Sequence, residues 1–346
     1  MFRRGRGLLV LCVSICAAAG VLASASHARN PGSKPSPHPR SLTGAFESCD
    51  PQLAADSCAA RLRLMEHTGM QLTVSDLPSY GPWLAPYLQA LRAAHMRAIW
   101  EVINPTWWNA VGDDRTGRDP DLFAAYGSWA SACGDCHTNG QLLAFITRTL
   151  TADHLTYGWY VADDSEFDGR RADTRSAMLN GIHTFAAALH ADAPGTVTVS
   201  SAYGTEQLRE AEPAAGLTAV ESYPVIKRPG GRAPTTQAVY RSTLETARRA
   251  AAAAGTRPTA MILQAFSWAG CDADQRSVGA SRRSPYPTAA ELAAQRAAAV
   301  RGARPSLILY YNFDQTAGWP SGQRPAGCRQ PPHRLRRLRA LRRSLP

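Results

Sequence analysis

The feature that most constrains this chain is an alternation repeated along most of its length. Short runs of β-branched and aromatic residues take turns with longer Ala- and Leu-rich stretches of helical period. Runs of the first kind cover 44–47, 71–75, 97–103, 157–162, 197–200, 219–223, 260–266 and 306–313. Helical stretches cover 51–67, 84–95, 171–190, 237–254 and 289–301, each followed by a Gly or Pro breaker or by the next strand run. Strand–helix alternation of this kind builds parallel sheets, because a parallel connection needs a crossover long enough to hold a helix. Eight strand runs are the number that closes a (β/α)8 barrel, and residues 42–346 exceed the ~250 residues typical of that fold by an allowance for long loops. An open doubly wound sheet is the competing architecture. It would be expected to carry a Gly-rich phosphate fingerprint after the first strand, and none is present. The expected fold is therefore α/β, a single-domain TIM barrel.

Ahead of the barrel the chain changes character. Arg3, Arg4 and Arg6 precede an uncharged apolar run from Leu8 to Leu22 that ends in small residues, the pattern of a secretory signal peptide. Ala23-Ser24-Ala25 and Ser26-His27-Ala28 are both acceptable cleavage sites, so residues 1–28 are expected to be removed at one of them. Residues 29–41 are rich in Pro and Ser without apolar periodicity and read as a flexible linker, with the barrel occupying 42–346. The apolar run is short for a membrane span, and no later stretch is long and uncharged enough for one. The expected protein is secreted. Of the eight cysteines, Cys12 and Cys16 lie within the signal, leaving Cys49, Cys58, Cys133, Cys136, Cys271 and Cys328 for disulfides. Closeness along the chain favours Cys49–Cys58 and Cys133–Cys136, which leaves Cys271 with Cys328.

The net charge of +11 looks at first like a nucleic-acid signal. Its distribution says otherwise. Three basic residues fall in the signal, three in the linker (Arg29, Lys34, Arg40) and seven arginines between Arg329 and Arg343; without these thirteen charges, residues 42–328 carry −2. A nearly neutral body has no electrostatic footprint for DNA or RNA. The Arg-rich tail has two readings: weak contact with an anionic surface, or the last barrel helix, with Leu335, Leu338, Leu341 and Leu345 as its packing stripe.

In barrels of this type the chemistry sits at the C-terminal ends of the strands. The polar residues ending the strand runs are Glu47, Asp76, Glu101 with Asn104, Asp163, Asp164 and Glu166, Ser200, Glu221, Gln264, and Asn312 with Asp314. That is an acidic rim on a near-neutral domain. Strand ends are exposed, so a carboxylate at any one of them is by default a solvated loop residue. Strand alternation would send Asp163 to one face and Asp164 and Glu166 to the other.

Three of these endings also resemble a known family. Gly158-Trp159-Tyr160-Val161-Ala162-Asp163-Asp164-Ser165 resembles the fourth-strand Asp-Glu-Pro ending of secreted bacterial (β/α)8 glycoside hydrolases. Glu221-Ser222-Tyr223-Pro224 looks like their sixth strand, and Gln264-Ala265-Phe266-Ser267-Trp268 is similar to their seventh. The resemblance implies cleavage of a glycosidic bond in a poly- or oligosaccharide by two carboxyl groups, one protonated and one ionised, with no metal or organic cofactor. The pattern is departed from at Asp164, where the proton-donating glutamate would stand, at Ser165 in place of proline, and at Gln264 in place of the nucleophile of retaining enzymes. It implies Asp164 or Glu166 as acid, the latter in the manner of the Asp-x-Glu ending of the chitinase family. Glu221 is then the preferred partner, with Asp314 or Glu101 as alternatives. Substrate contacts are expected from Asp76, Glu101, Asn104, Asp163, Tyr223, Gln264, Asn312 and Asp314. Trp107, Trp108, Trp268 and Trp319 would stack on sugar faces or plug the mouth as apolar caps. A non-catalytic carbohydrate-binding barrel is the alternative that the changes at 164 and 165 leave open.

One motif fits none of this. Cys133-Gly134-Asp135-Cys136-His137 has the Cys-x-x-Cys-His spacing that attaches c-type haem, in a segment read as loop after the third strand. No axial methionine stands near it and a fourth zinc ligand is not evident, so a structural disulfide is the expected state, with haem as the lesser alternative.

Overall fold

The computed structural model describes residues 41–47, 51–102, 122–162, 183–202, 216–226, 232–265 and 287–311. The strands are β1 (Leu42–Glu47), β2 (Leu72–Asp76), β3 (Arg97–Glu101), β4 (Thr156–Ala162), β5 (Val197–Ala202), β6 (Leu217–Ser222), β7 (Ala260–Gln264) and β8 (Leu307–Tyr311). Each pairs in parallel with the next and β8 pairs with β1, so the sheet closes as a barrel in sequence order. Around it lie α1 (Pro51–His67), α2 (Leu84–Ala93), α3 (Leu122–Ala125), α4 (Gly127–Cys133), α5 (Asn139–Thr151), α6 (183–192), α7 (Thr236–Ala254) and α8 (Ala289–Ala303). Among the described residues no helix is long and apolar enough to cross a membrane. Chain contacts divide at Pro39 and Arg40, and the unit before that point lies outside the described residues, as does the Arg-rich tail.

Two apolar clusters show which way each side chain faces. One contains strand residues alone: Phe46, Leu72, Val74, Ile99, Tyr160, Val199, Leu217, Ala219, Ala260, Ile262, Leu307 and Leu309. That is the barrel interior. The other joins the alternate strand positions, among them Trp100, Trp159, Val220, Met261 and Tyr310, to the helix stripes Leu62–Met65, Leu88–Leu91, Leu142–Ile146–Leu150 and Leu292–Ala299. Each such Leu or Met, taken out of water, contributes on the order of 1.5–3 kcal/mol before entropy is counted. The two large indoles facing the helices satisfy their only donor: Trp100 Nε1–H bonds Thr156 Oγ1 at 2.8 Å and Trp159 Nε1–H bonds Thr196 Oγ1 at 2.9 Å.

Local sequence explains where helices start. Thr138 caps α5 and Thr288 caps α8, each with a Gln or Glu three residues on that returns a bond to the cap's own N–H. Thr235 caps α7, which ends at Gly255 with φ 64°. Close packing of α7 on α8 depends on small residues, because a Cβ on Gly302 would lie 2.6 Å from the Ala247 methyl.

β4 departs from simple alternation. Its register slips against β3 between Ala98 and Ile99, and against β5 between Tyr160 and Ala162. Tyr160 aligns with the interior Val199, whereas Ala162 aligns with Ser200 on the helix-facing side. Val161 is thus a bulged residue, and the uninterrupted alternation expected to carry through to Asp163, Asp164 and Glu166 stops there.

Candidate active site at the barrel mouth

The C-terminal strand ends that fall within the described residues place three carboxylates on the interior register. On β2, Leu72 and Val74 face inward, Ser75 faces outward to the Tyr87 hydroxyl of α2, and Asp76 follows inward. On β3, Ile99 is inward, Trp100 outward and Glu101 inward. Asp76 and Glu101 are register partners, so the two acids stand side by side at about the 4.8 Å spacing of neighbouring strands. On β6, Ala219 is inward, Val220 outward, and Ser222 reaches outward to Thr243 Oγ1 of α7 at 3.3 Å. Glu221 therefore belongs to the mouth. In an eight-stranded ring, β6 lies across from β2 and β3. Glu101 and Glu221 are partly exposed and Asp76 is exposed, as residues at an open mouth should be.

A line of aromatic rings shares the barrel interior with them. Tyr223 stands 6.4 Å from Tyr311, Tyr311 5.2 Å from Phe46, and Phe46 meets Tyr160 edge-on at 5.3 Å.

Three rim residues turn out to have other roles. Glu47 faces the helices, is 3% exposed and pairs with Arg61 of α1 at 3.2 Å. Ser200 faces the same layer, 3.2 Å from Thr218 Oγ1. Gln264 is on the interior register but fully buried: its Oε1 accepts from Val225 N–H at 2.8 Å and its Nε2–H donates to Val225 O at 3.2 Å. Its own backbone is paired in the same way by the Gln295 amide of α8, at 3.0 and 3.2 Å. Gln264 is a strut that holds the segment after β6 against β7. Asn104, Trp107, Trp108, Asp163, Asp164, Glu166, Trp268, Asn312, Asp314 and Trp319, with Cys49, Cys271 and Cys328, lie outside the described residues.

An insertion after β3 adds residues that the sequence reading passed over. α3 and α4 precede α5, the barrel's own third helix, and the Cys-x-x-Cys-His motif is the turn joining α4 to α5. Cys133 and Cys136 are bonded to each other with Cα atoms 5.6 Å apart, so neither sulfur is available for a haem thioether or a metal in this state. Cys58 is also disulfide-bonded. No group of three His, Cys, Asp or Glu side chains is arranged for a metal among the described residues. Tyr126, between α3 and α4, donates its hydroxyl to Val102 O at 2.7 Å, directly after Glu101. Burial, reinforced by the Glu101 and Asp76 charges, pushes its phenol well above the ordinary tyrosine range. It stays a protonated donor at every physiological pH. Burial and then Glu47 do the same to Tyr87. A signal for part of this region was present in Thr138-Asn139-Gly140-Gln141, a capping box opening the Leu142–Ile146–Leu150 stripe.

No protein-family model and no curated protein sequence matches the chain. Solved structures do resemble it. The cold-adapted β-galactosidase of Rahnella sp. R3 superposes with a TM-score of 0.55 at 12% identity, over 90% of this chain and 56% of that one. The β-galactosidase of Bacillus circulans sp. alkalophilus gives 0.54 at 9% over 89% and 56%. That of the psychrophilic Marinomonas ef1 gives 0.53 at 11% over 87% and 59%. The chain thus spans somewhat over half the length of these enzymes. Identities this low speak to architecture alone. In its fold, the chain is a closed eight-stranded (β/α)8 barrel similar to the one in these β-galactosidase structures.

Proposed function

We propose that this protein is a secreted glycoside hydrolase that cleaves a glycosidic bond in a poly- or oligosaccharide with a pair of carboxyl groups. The observation that carries the reading is the inward register of Glu101 and Glu221 on strands across the mouth, beside the aromatic line of Phe46, Tyr160, Tyr223 and Tyr311. Glycosidic cleavage needs a protonated acid and an ionised base or nucleophile on opposite sides of the bond. The Asp76–Glu101 pair on adjacent strands offers the carboxyl that would donate the proton. Glu221, on the far strand, serves as the ionised partner. Asp164 or Glu166 remains the donor that the family resemblance implies. Tyr223 and Tyr311 offer ring faces and hydroxyls to a sugar. The fold shared with β-galactosidases supports a carbohydrate ligand, and the Arg3–Leu22 pattern supports export.

One observation favours the non-catalytic carbohydrate-binding alternative. Where retaining relatives would carry a nucleophile, Gln264 has its amide committed to Val225. In the enzymatic reading the same fact argues against a retaining route through β7.

The decisive experiment assays the purified protein on a panel of aryl glycosides and polysaccharides alongside Glu221→Gln, Glu101→Gln and Asp164→Asn. Loss of an acid–base or charge-stabilising carboxylate should lower kcat by roughly 10²- to 10⁴-fold. Carbohydrate binding that survives all three changes, with no turnover in the parent protein, would replace the enzyme with the binding module.

A further inference from the structure

The Cys133–Cys136 disulfide takes no part in that chemistry, yet the helix it closes is bonded to the two strand ends that carry Asp76 and Glu101. Three side chains of this short insertion reach the barrel. Tyr126 O–H donates to Val102 O at 2.7 Å, one residue beyond Glu101. Trp129 Nε1–H donates to Pro78 O at 2.8 Å, two residues beyond Asp76. Ser128 Oγ accepts from Tyr80 N–H at 3.0 Å in the same post-β2 segment. The Trp129 ring, 1% exposed, is wedged between Tyr80 at 5.1 Å and Phe145 of α5 at 6.1 Å. All three bonds leave α4 or the residue before it, and α4 ends at Cys133 itself.

Such a helix has little stability of its own. Seven residues form about two turns, well below the length at which an isolated helix persists in water. Its first residue is Gly127, and the N-cap Tyr126 makes no side-chain capping bond. What fixes its far end is the covalent tie to Cys136, which sits two residues ahead of the Thr138 capping box of α5. Both sulfur-bearing residues also pack against the outer core. The long amphipathic α5, docked on the barrel through Leu142, Leu143, Ile146 and Leu150, is therefore the anchor, and the disulfide transmits its position to α4.

We propose that α4 is a redox-dependent clamp: the Cys133–Cys136 disulfide holds Tyr126, Ser128 and Trp129 on the ends of β2 and β3, and so sets the placement of Asp76 and Glu101 at the mouth. In this arrangement Tyr126 and Trp129 are positioning residues. Opening the clamp is a two-electron exchange with an external dithiol. One thiolate attacks a sulfur of the pair to give a mixed disulfide, the second thiol resolves it, and the dithiol leaves oxidised while Cys133 and Cys136 each end as a thiol. In an oxidising compartment the reverse exchange completes the site. The functional consequence rests on the glycoside hydrolase reading, but the mechanical one does not.

Hydrogen exchange on the full chain without any substrate separates the two. In Cys133→Ser/Cys136→Ser, amide exchange across 77–81, 101–102 and 126–133 is expected to accelerate about tenfold or more through local opening, with β7 and β8 unchanged. Treatment of the parent protein with a dithiol should reproduce the pattern. Tyr126→Phe should loosen 101–102 and spare 77–81, and Trp129→Phe should do the reverse, a polarity that a general packing role would not produce. Acceleration confined to 126–133 would overturn the proposal, because the disulfide would then stabilise only its own helix. So would uniform acceleration over the barrel, which marks a global staple, or none at all. If the oxidised parent protein hydrolyses no glycoside while exchange behaves as expected, the clamp stands and the enzymatic reading alone falls.

Discussion

The two sides of the barrel mouth fix their acids by different means. On one side, Asp76 and Glu101 stand where β2 and β3 are held from outside, by an insertion whose indole, phenol and hydroxyl bond the backbone beyond each strand. On the other, Glu221 stands where the segment after β6 is held from within, by Gln264 of β7, itself held by Gln295 of α8. Both devices satisfy backbone groups that a departing strand would leave unpaired. They differ in what they depend on. The amide strut is built from barrel elements and persists as long as the barrel does. The clamp is built from a short helix that needs its neighbours and a disulfide, so it is the side of the mouth that can be loosened without unfolding the protein.

Substitutions should expose that difference, most strongly at Trp129. Trp129→Ala removes a buried indole, its bond to Pro78 and its contacts with Tyr80 and Phe145, and should cost about 3–5 kcal/mol in denaturant unfolding. A cost below about 1 kcal/mol would mean that the insertion rests on the barrel without being packed into it. Gln264→Leu keeps the volume but strands the N–H and C=O of the buried Val225, for an expected loss of about 2–4 kcal/mol. That loss should appear as cooperative unfolding, whereas Trp129→Ala should open the β2–β3 side first; matched local openings in both would erase the distinction.

A smaller effect is expected in alkali. Burial, against the pull of the Arg296 guanidinium, pushes the Tyr310 phenol on β8 from 10.0 up to about 12, and burial also raises Tyr126 in the clamp. Because the folded-state values are raised, the stabilisation is complete below the unfolded pKa and is lost as pH climbs toward the folded one. For Tyr310 that window runs from 10 to 12, with about 1.4 kcal/mol lost per pH unit. Tyr310→Phe should flatten the fall in unfolding free energy over that range, and an unchanged slope would show that the phenol does not contribute. Tyr126→Phe should flatten it too, at the added cost of about 1 kcal/mol for the lost bond to Val102.

Much of the frame was legible before any coordinates. The strand runs at 97, 197 and 260 begin at the residues where β3, β5 and β7 begin, and the stretch 51–67 is α1 itself. Dense runs of β-branched and aromatic residues between Ala- and Leu-rich helices leave few alternatives to a parallel sheet. The site was legible only in part. Alternation holds at the end of β6, where Glu221 and Tyr223 share the interior face, but the period-two reading also ran through β4 without a break. The bulge at Val161 is a matter of register between β4 and β5, and no local residue announces it. α3 and α4 were missed because four and seven residues are too few for a 3.6-residue period to emerge.

What the sequence determined by itself was local: the order of the eight strand runs, the extent of α1 and the candidate acids at strand ends. What tertiary structure decided was direction and partnership. Glu47 and Glu221 both end β-branched or aromatic runs, yet Glu47 turns out to Arg61 while Glu221 faces the mouth. Gln264 stands where a nucleophile was sought and proves to be a strut. The reason is physical: propensity and caps act over a few residues, whereas the face a side chain presents depends on register with strands and helices up to hundreds of residues away.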